Sequence, residues 1–197
     1  MEFVFKMQRA KNPEEHLTPE EYAQCVELTK KMDYDTTWNG KFEWLSLYSA
    51  CFLAKDDDGV IGYLLLANES NFQKTLITSY INGEVSRRYG PSPNFSIEQI
   101  VIDESYRKTG LATEMFESVL NWDYMKENCR EITGEICPKN DSAIKWCKKM
   151  GFSIRPNIST DFLDATFNAE RYYAETEQRE FGKFASVVAS SVLPEQN

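Results

Sequence analysis

The sequence predicts a mixed α/β chain, and three observations carry that expectation. Two apolar runs, CFLAK (51–55) and VIGYLLLA (60–67), flank the turn signal Asp56-Asp57-Asp58-Gly59, which is the pattern of a β-hairpin. A β-branched run, FSIEQIVID (95–103), passes through a glycine-containing turn into an amphipathic helical pattern. A further strand-like run, EITGEIC (131–137), is followed by a helix beginning near Asn140. No internal repeat or low-complexity tract breaks the chain. Its 197 residues are 42% apolar, enough for one sizeable core, so a single globular domain over 1–197 is expected.

At the start, MEFVFKMQRA is too short and too interrupted by charge for a secretory signal, and no apolar run approaches a membrane span. Thr18-Pro19-Glu20-Glu21 then reads as a helix start, with a hydroxyl cap, proline at the first helical position and a glutamate three residues after the cap. Tyr22, Cys25, Val26, Leu28 and Met32 recur mostly three or four apart, so this helix runs to about Met32. The aromatic-rich stretch 38–48 is expected to be helical, its rings either in the core or walling a pocket. The aspartates at 56–58 read as a solvated turn, because they lack the ordered spacing of a calcium loop. Residues 69–94 are polar and end in Gly90-Pro91-Ser92-Pro93; they hold a short strand or form a substrate-facing loop. The helix after the 95–103 strand is expected to reach about Lys126. From Glu170 onward, Phe181, Phe184, Ala185, Val188 and Val192 fall at helical spacing, an apolar face that packs on its own domain or pairs two subunits as a homodimer.

Composition narrows the partners. Lysine and arginine total 22 against 31 acids, a net charge of -9 and a pI of about 4.8. Such a surface repels nucleic acid phosphates and anionic membranes in general and suits a cationic partner. The five cysteines (Cys25, Cys51, Cys129, Cys137, Cys147) are odd in number and show no metal or redox spacing, so they read as free thiols in a reducing, cytoplasmic setting. The one histidine, His16, rules out a multi-histidine metal site and reads as solvated near the first helix, so no metal is expected.

The turn YRKTGLA, 106–112, is the part of the chain most suggestive of chemistry. Its order of strand, Arg-Lys-x-Gly-x-Ala, helix aims several backbone N–H groups outward at a helix N-terminus, where the peptide dipoles favour an anion. Gly110 lets the backbone approach a ligand, Ala112 keeps the first helical turn slim, and Arg107 and Lys108 add positive charge. The dinucleotide fingerprint and the kinase-type loop are both missing, so on spacing alone the turn is either an anion cradle of another kind or an ordinary glycine-containing connection from strand to helix.

A second segment sharpens this reading. Arg107-x-x-Gly110-x-Ala112 resembles the pyrophosphate-binding signature of the GCN5-related N-acetyltransferases (GNAT). About thirty residues on, NDSAIKWCKKMGF (140–152) is similar to that family's second signature, with Asn140, Ala143, Ile144, Gly151 and Phe152 matching. The resemblance covers about residues 50–155; the two N-terminal helices also fit, whereas 69–94 and the chain after about 156 match nothing in it. It implies a mixed, largely antiparallel sheet flanked by helices, with a core at about 18–156 and a C-terminal extension at about 157–197 carrying an extra helix. It also implies acetyl-CoA as cosubstrate, held by Arg107, Lys108, Thr109, Gly110, Leu111, Ala112 and Thr113. The pantetheine arm would run along the backbone of Ile100, Val101 and Ile102, where that strand splays from EITGEIC, with Asn140 and Ala143 nearby.

The same resemblance implies an N-acetyltransferase acting on a primary amine by direct attack in a ternary complex. Glu98 then occupies the place of a base or of a residue ordering a water, the alternative being a salt bridge at the rim, while Gln99 faces the other way by strand alternation and is the weaker candidate. A backbone amide at Val101 or Ile102 would polarise the thioester carbonyl. Asn140 either holds the cosubstrate or caps the helix it begins, or does both. Cys147 stands where the family usually has a tyrosine that protonates the leaving thiolate. It therefore either donates that proton as a thiol of pKa about 8.5 or packs as a small hydrophobe, with Tyr106, Tyr172 or Tyr173 as substitutes. The acceptor is expected to be a cationic amine. The competing expectations are a non-catalytic CoA-binding module and a nucleotide-phosphate binder of unrelated fold.

Overall fold

The long apolar runs at 51–55 and 60–67 set the frame of the molecule. The computed structural model describes residues 1–7, 17–31, 49–68, 77–81, 84–88 and 94–192. The expected helix at 38–48 and His16 lie outside the described residues. Strand β2 (Ser49–Asp56) turns through Asp57 and Asp58 into β3 (Gly59–Asn68), the antiparallel hairpin anticipated from the turn signal. Strand β1 (Glu2–Met7) adds to the free edge of β2. Within 69–94, β4 (Ile77–Ile81) and β5 (Glu84–Arg88) form a separate two-stranded ladder.

Strand β6 (Asn94–Ile102) is antiparallel to β3 on one side and parallel to β7 (Glu131–Ile136) on the other. Strands β8 (Ser153–Pro156) and β9 (Leu163–Asn168) follow, and β9 inserts between β7 and β8. The sheet order is β1-β2-β3-β6-β7-β9-β8, mixed and largely antiparallel. Its one parallel contact needs a crossover, supplied by α2 (Leu111–Asn121) and the short α3 (Asp123–Asn128). The remaining described helices are α1 (Pro19–Lys31), α4 (Asp141–Met150) and the long α5 (Ala169–Val192), the extra C-terminal helix.

Both faces of the central strands are buried, which is why VIGYLLLA reads as one continuous apolar run rather than an alternation. Leu64 and Leu66 point to one face, under Met115, Phe116, Val119 and Leu120 of α2. Tyr63 and Leu65 point to the other, against Cys25 and Leu28 of α1. Phe116 ties the first core together, its ring 5.3 to 5.6 Å from those of Phe167, Phe152 and Trp146. Fully burying a side chain of this size contributes roughly 1.5–3 kcal/mol.

Three features depart from the expected layout. The helix after β6 does not run unbroken to Lys126: Trp122 leaves the helical conformation (φ -70°, ψ 127°) and separates α2 from α3. The break lets its indole meet Phe52 edge-on at 6.0 Å and Tyr124 at 4.9 Å, while α3 buries Met125. The sheet also exceeds the expected core of 18–156 at both ends, through β1 and β9. In β9, Ala165 and Phe167 alternate inward, a short strand signal masked by the polar residues between them.

Helix α1 is fastened at its start by a reciprocal capping pair. The Glu21 amide donates to Thr18 Oγ1 at 3.1 Å, and the Thr18 amide donates to Glu21 Oε2 at 2.9 Å. The buried Glu21 carboxylate also takes Lys55 Nζ at 3.0 Å and faces Lys6 Nζ at 3.6 Å, joining α1 to β2 and β1. Burial by itself would raise its pKa; the Thr18 amide, Lys55 and Lys6 outweigh that and hold it below the ordinary 4.5. A depressed folded value means the charge contributes fully above the unfolded value and is lost as pH falls through the folded one. Glu21→Gln is expected to lower unfolding free energy at neutral pH by about 1–3 kcal/mol in urea titrations. The gap from wild type should narrow in acid below 4.5.

Candidate functional site

The ladder between β6 and β7 is short. It runs from Asn94 opposite Glu131 to Ile97 opposite Gly134, after which β7 continues with β9 and β6 continues with β3. A wedge therefore opens beside Glu98 to Ile102, into which the backbone groups not serving β3 are directed. Gly134 sits at its apex, where an added Cβ would stand 3.4 Å from the Ile97 carbonyl, so the two strands approach closely and then part.

Glu98 falls at a β-bulge. Leu65 opposes Gln99 and Leu66 opposes Ile97, leaving Glu98 with no residue opposite on β3. The bulge shifts the alternation: Phe95 and Ile97 pack on the α2 side before it, Ile100 and Ile102 after it. Gln99 and Val101 consequently turn toward α1. Gln99 Oε1 accepts from the buried Tyr63 hydroxyl at 2.8 Å, and that hydroxyl lies 2.6 Å from Thr29 Oγ1. Val101 is fully buried, so only its backbone can reach the wedge. Glu98 is half-buried.

At the end of β6, Asp103 caps a 3₁₀ turn (Glu104–Tyr106) by accepting from the Ser105 amide at 3.0 Å and its hydroxyl at 2.6 Å. The Ser105 hydroxyl, the Ser105 amide, Lys31 and Arg107 together hold the Asp103 carboxyl below its usual range, against a smaller opposing effect of burial. The loop beyond bends through two left-handed residues, Lys108 at φ 66° and Gly110 at φ 103°, and enters α2. The first helical bonds go to the Gly110 carbonyl, from the Thr113 amide at 2.8 Å and the Glu114 amide at 3.1 Å. Among the described residues, the amides of Lys108, Thr109, Gly110, Leu111 and Ala112 donate to no protein acceptor. Residues 107–110 are exposed, and an added Cβ at Gly110 would meet nothing nearer than Glu114 Oε1 at 3.9 Å. Open amides, a helix dipole and the exposed Arg107 and Lys108 give the mouth of the wedge a locally positive character. On its α1 side lies a hollow of about 630 Å³ between Leu28 and Lys31 and the Ile102–Arg107 stretch.

The second motif is brought against the first by a bond that sequence reading missed: Trp146 Nε1 donates to Thr113 Oγ1 at 3.3 Å. An indole N–H on an otherwise packed ring needs such an acceptor, and that requirement was the available signal. Asn140 caps α4, its Oδ1 accepting from the Ala143 amide at 3.0 Å. Ala143 and Ile144 are half-buried against the core.

Cys147 lies one turn further along this inward face and is 6% exposed. Burial pushes its thiol up to about 11. The substitute tyrosines are also engaged: Tyr173 donates to the Leu120 carbonyl at 3.0 Å, its pKa raised first by burial, and Tyr106 donates to Asp56 Oδ2. Tyr172 packs against Phe167 at 5.7 Å. Among the described residues no three His, Cys, Asp or Glu side chains gather as a metal site, and no helix is long and apolar enough to cross a membrane.

A model of the acetyltransferase (GNAT) family matches residues 10–152. The chain belongs to the GNAT family. It is, accordingly, an N-acetyltransferase. No curated protein sequence matches it. Its fold is shared with other GNAT-type structures at low identity. Ard1 from Thermoplasma volcanium has 15% identity and a TM-score of 0.55 over 84% of this chain and 97% of its own. The spermidine N-acetyltransferase SpeG of Vibrio cholerae, in a chimera with hSSAT, has 13% identity and a TM-score of 0.55 over 87% and 99%. A ribosomal-protein alanine N-acetyltransferase from Escherichia coli has 11% identity and a TM-score of 0.53 over 84% and 91%.

In this GNAT enzyme the thiols should separate by burial. Iodoacetamide at about pH 7.5 is expected to label the half-buried Cys137 first and to reach Cys147 and Cys129 only on unfolding, as read by peptide mass spectrometry. Early labelling of Cys147 would place its sulfur at the surface.

Proposed function

We propose that the enzyme transfers an acetyl group from acetyl-CoA to a primary amine, by direct attack in a ternary complex. The observation that carries this reading is the run of unpartnered amides from Lys108 to Ala112 at the N-terminus of α2, beside the β6–β7 wedge. A diphosphate fits it: the amides donate, Gly110 leaves room, and Arg107 and Lys108 offset the charge. Acetyl-CoA supplies the activated thioester. Backbone groups along Ile100, Val101 and Ile102 are suited to align an extended pantetheine arm, and an amide at Val101 or Ile102 to polarise the carbonyl.

Glu98 is the proposed base, acting through an ordered water. In support, it interrupts an apolar-leaning strand and is placed by a bulge at the point where β6 leaves β7, and bulges recur beside active sites because they re-aim one side chain. Asn140 keeps its amide group for the cosubstrate or a water while its oxygen caps α4. Cys147 is read as a packing residue, so the thiolate departs without a proton from it.

The net charge of -9 favours a cationic acceptor. The names of two structures of like fold, acting on spermidine and on a ribosomal-protein alanine, are in keeping with an amine. Four buried free cysteines favour a reducing, cytoplasmic setting. The single-domain reading is kept, and the apolar face from Phe181 to Val192, a possible homodimer seam by sequence, lies outside the residues whose side chains are described.

Glu98→Gln is expected to lower kcat by about 10²- to 10⁴-fold in a free-thiol release assay over an amine panel, with acetyl-CoA affinity within about twofold. Loss of affinity in place of rate would reassign Glu98 to binding. Gly110→Asp, which sets a carboxylate and a strained left-handed backbone in the cradle, should abolish CoA binding by calorimetry while leaving the circular dichroism spectrum intact. Undiminished binding would overturn the cradle.

A further inference from the structure

The loop that carries the open amides is tied to a distant turn. The Tyr106 hydroxyl donates to Asp56 Oδ2, while Oδ1 of the same carboxylate accepts the amides of Asp58 at 2.9 Å and Gly59 at 3.1 Å. Asp56 thus closes the β2–β3 turn with one oxygen and holds Tyr106 with the other. The turn is itself fastened to α1, since Gln24 Oε1 accepts the Val60 amide at 3.0 Å. On the loop side, the Tyr106 carbonyl accepts the Thr109 hydroxyl at 2.7 Å, so the bend containing left-handed Lys108 hangs from Tyr106.

We propose that the Tyr106–Asp56 hydrogen bond is a clasp that holds the Lys108–Ala112 amides convergent, so that both residues set acyl-CoA affinity without touching it. The proposal rests on the acetyl-CoA reading above. A left-handed lysine is disfavoured in a free loop and persists where its surroundings over-determine it. Amides fixed in advance bind an anion more tightly than amides that must be ordered on binding, because the ordering cost is already met by the fold. A hydroxyl-to-carboxylate bond is of the stronger, charge-assisted kind. The Asp56 hydrogen bond first, then burial and the charges of Asp56, Asp58 and Asp103, raise the Tyr106 pKa, while the same bond lowers that of Asp56; the pair keeps its donor and its acceptor through the physiological range. This also takes Tyr106 out of the set of proton donors for the departing thiolate.

Tyr106→Phe removes only the hydroxyl and keeps the ring that packs on the core, while Asp56→Asn keeps the oxygen that closes the turn. Calorimetry with CoA should show each variant about five- to thirtyfold weaker than wild type. The double variant should be no weaker than Tyr106→Phe alone, since that change already removes the bond whichever group donates. The KM for acetyl-CoA should rise with kcat and the acceptor KM within about twofold. Turnover of S-acetylpantetheine, which has no diphosphate, should be unchanged, a result that general damage to the fold would not give. The clasp is refuted if Tyr106→Phe binds CoA like wild type, or if S-acetylpantetheine turnover falls as far as acetyl-CoA turnover. Failure of the wild-type protein to bind CoA would instead remove the cosubstrate reading, and the clasp with it, before any variant is compared.

Discussion

The parting of β6 from β7 is the constraint on which the candidate site depends. Two parallel strands held side by side would normally satisfy each other's backbone along their whole length. Here the ladder stops at Ile97 and Gly134, and each strand stays paired with its other neighbour, β3 for β6 and β9 for β7. The backbone edges that face each other across the wedge therefore do not pair as strands beyond Ile97 and Gly134. The bulge at Glu98 belongs to the same event, since it shifts the phase of β6 where the partner is lost and leaves one polar residue out of register.

The loop with the open amides is the continuation of that strand. A 3₁₀ turn capped by Asp103 redirects the chain, two left-handed residues turn it again, and α2 begins with its first amides open. Locally positive character arises there in a molecule whose net charge is -9, because helix-terminal amides act over a few ångströms whereas net charge describes the whole surface. Trp146 sets α4 against the first turn of α2, so the two motifs that are thirty residues apart in the chain meet through a specific bond and not by proximity alone. The sheet carries this assembly because it is covered on both faces: α2 and α4 pack on one, α1 on the other, and the buried Glu21 locks α1 to the strands beneath it.

Much of this was legible in the chain. The β2–β3 hairpin, the start of α1, the strand β6, the glycine-bearing entry to α2 and the cap at Asn140 each follow from local rules about turns, caps and periodicity. The family resemblance on Arg107-x-x-Gly110-x-Ala112 and on the Asn140–Phe152 stretch led to the right fold, because both motifs answer to backbone geometry that few sequences satisfy. Less visible were β1, too short and charged to stand out, and β9, whose inward residues are separated by polar ones. Trp122 was read as helical since nothing near it in sequence announces its contact with Phe52.

What the sequence by itself determined are the features set by neighbours along the chain: which residues cap, where glycine permits a left-handed turn, and which amides a helix start must leave open. Tertiary structure alone decided those that depend on residues far apart. The bulge at Glu98 exists only against Leu65 and Leu66, the fate of Cys147 only against the core that surrounds it, and the partner of Tyr106 only because a turn fifty residues earlier folds beside it. Local rules carry no information about such meetings, because they are fixed by how strands pair and how faces pack, and a one-residue shift in register would change every one of them.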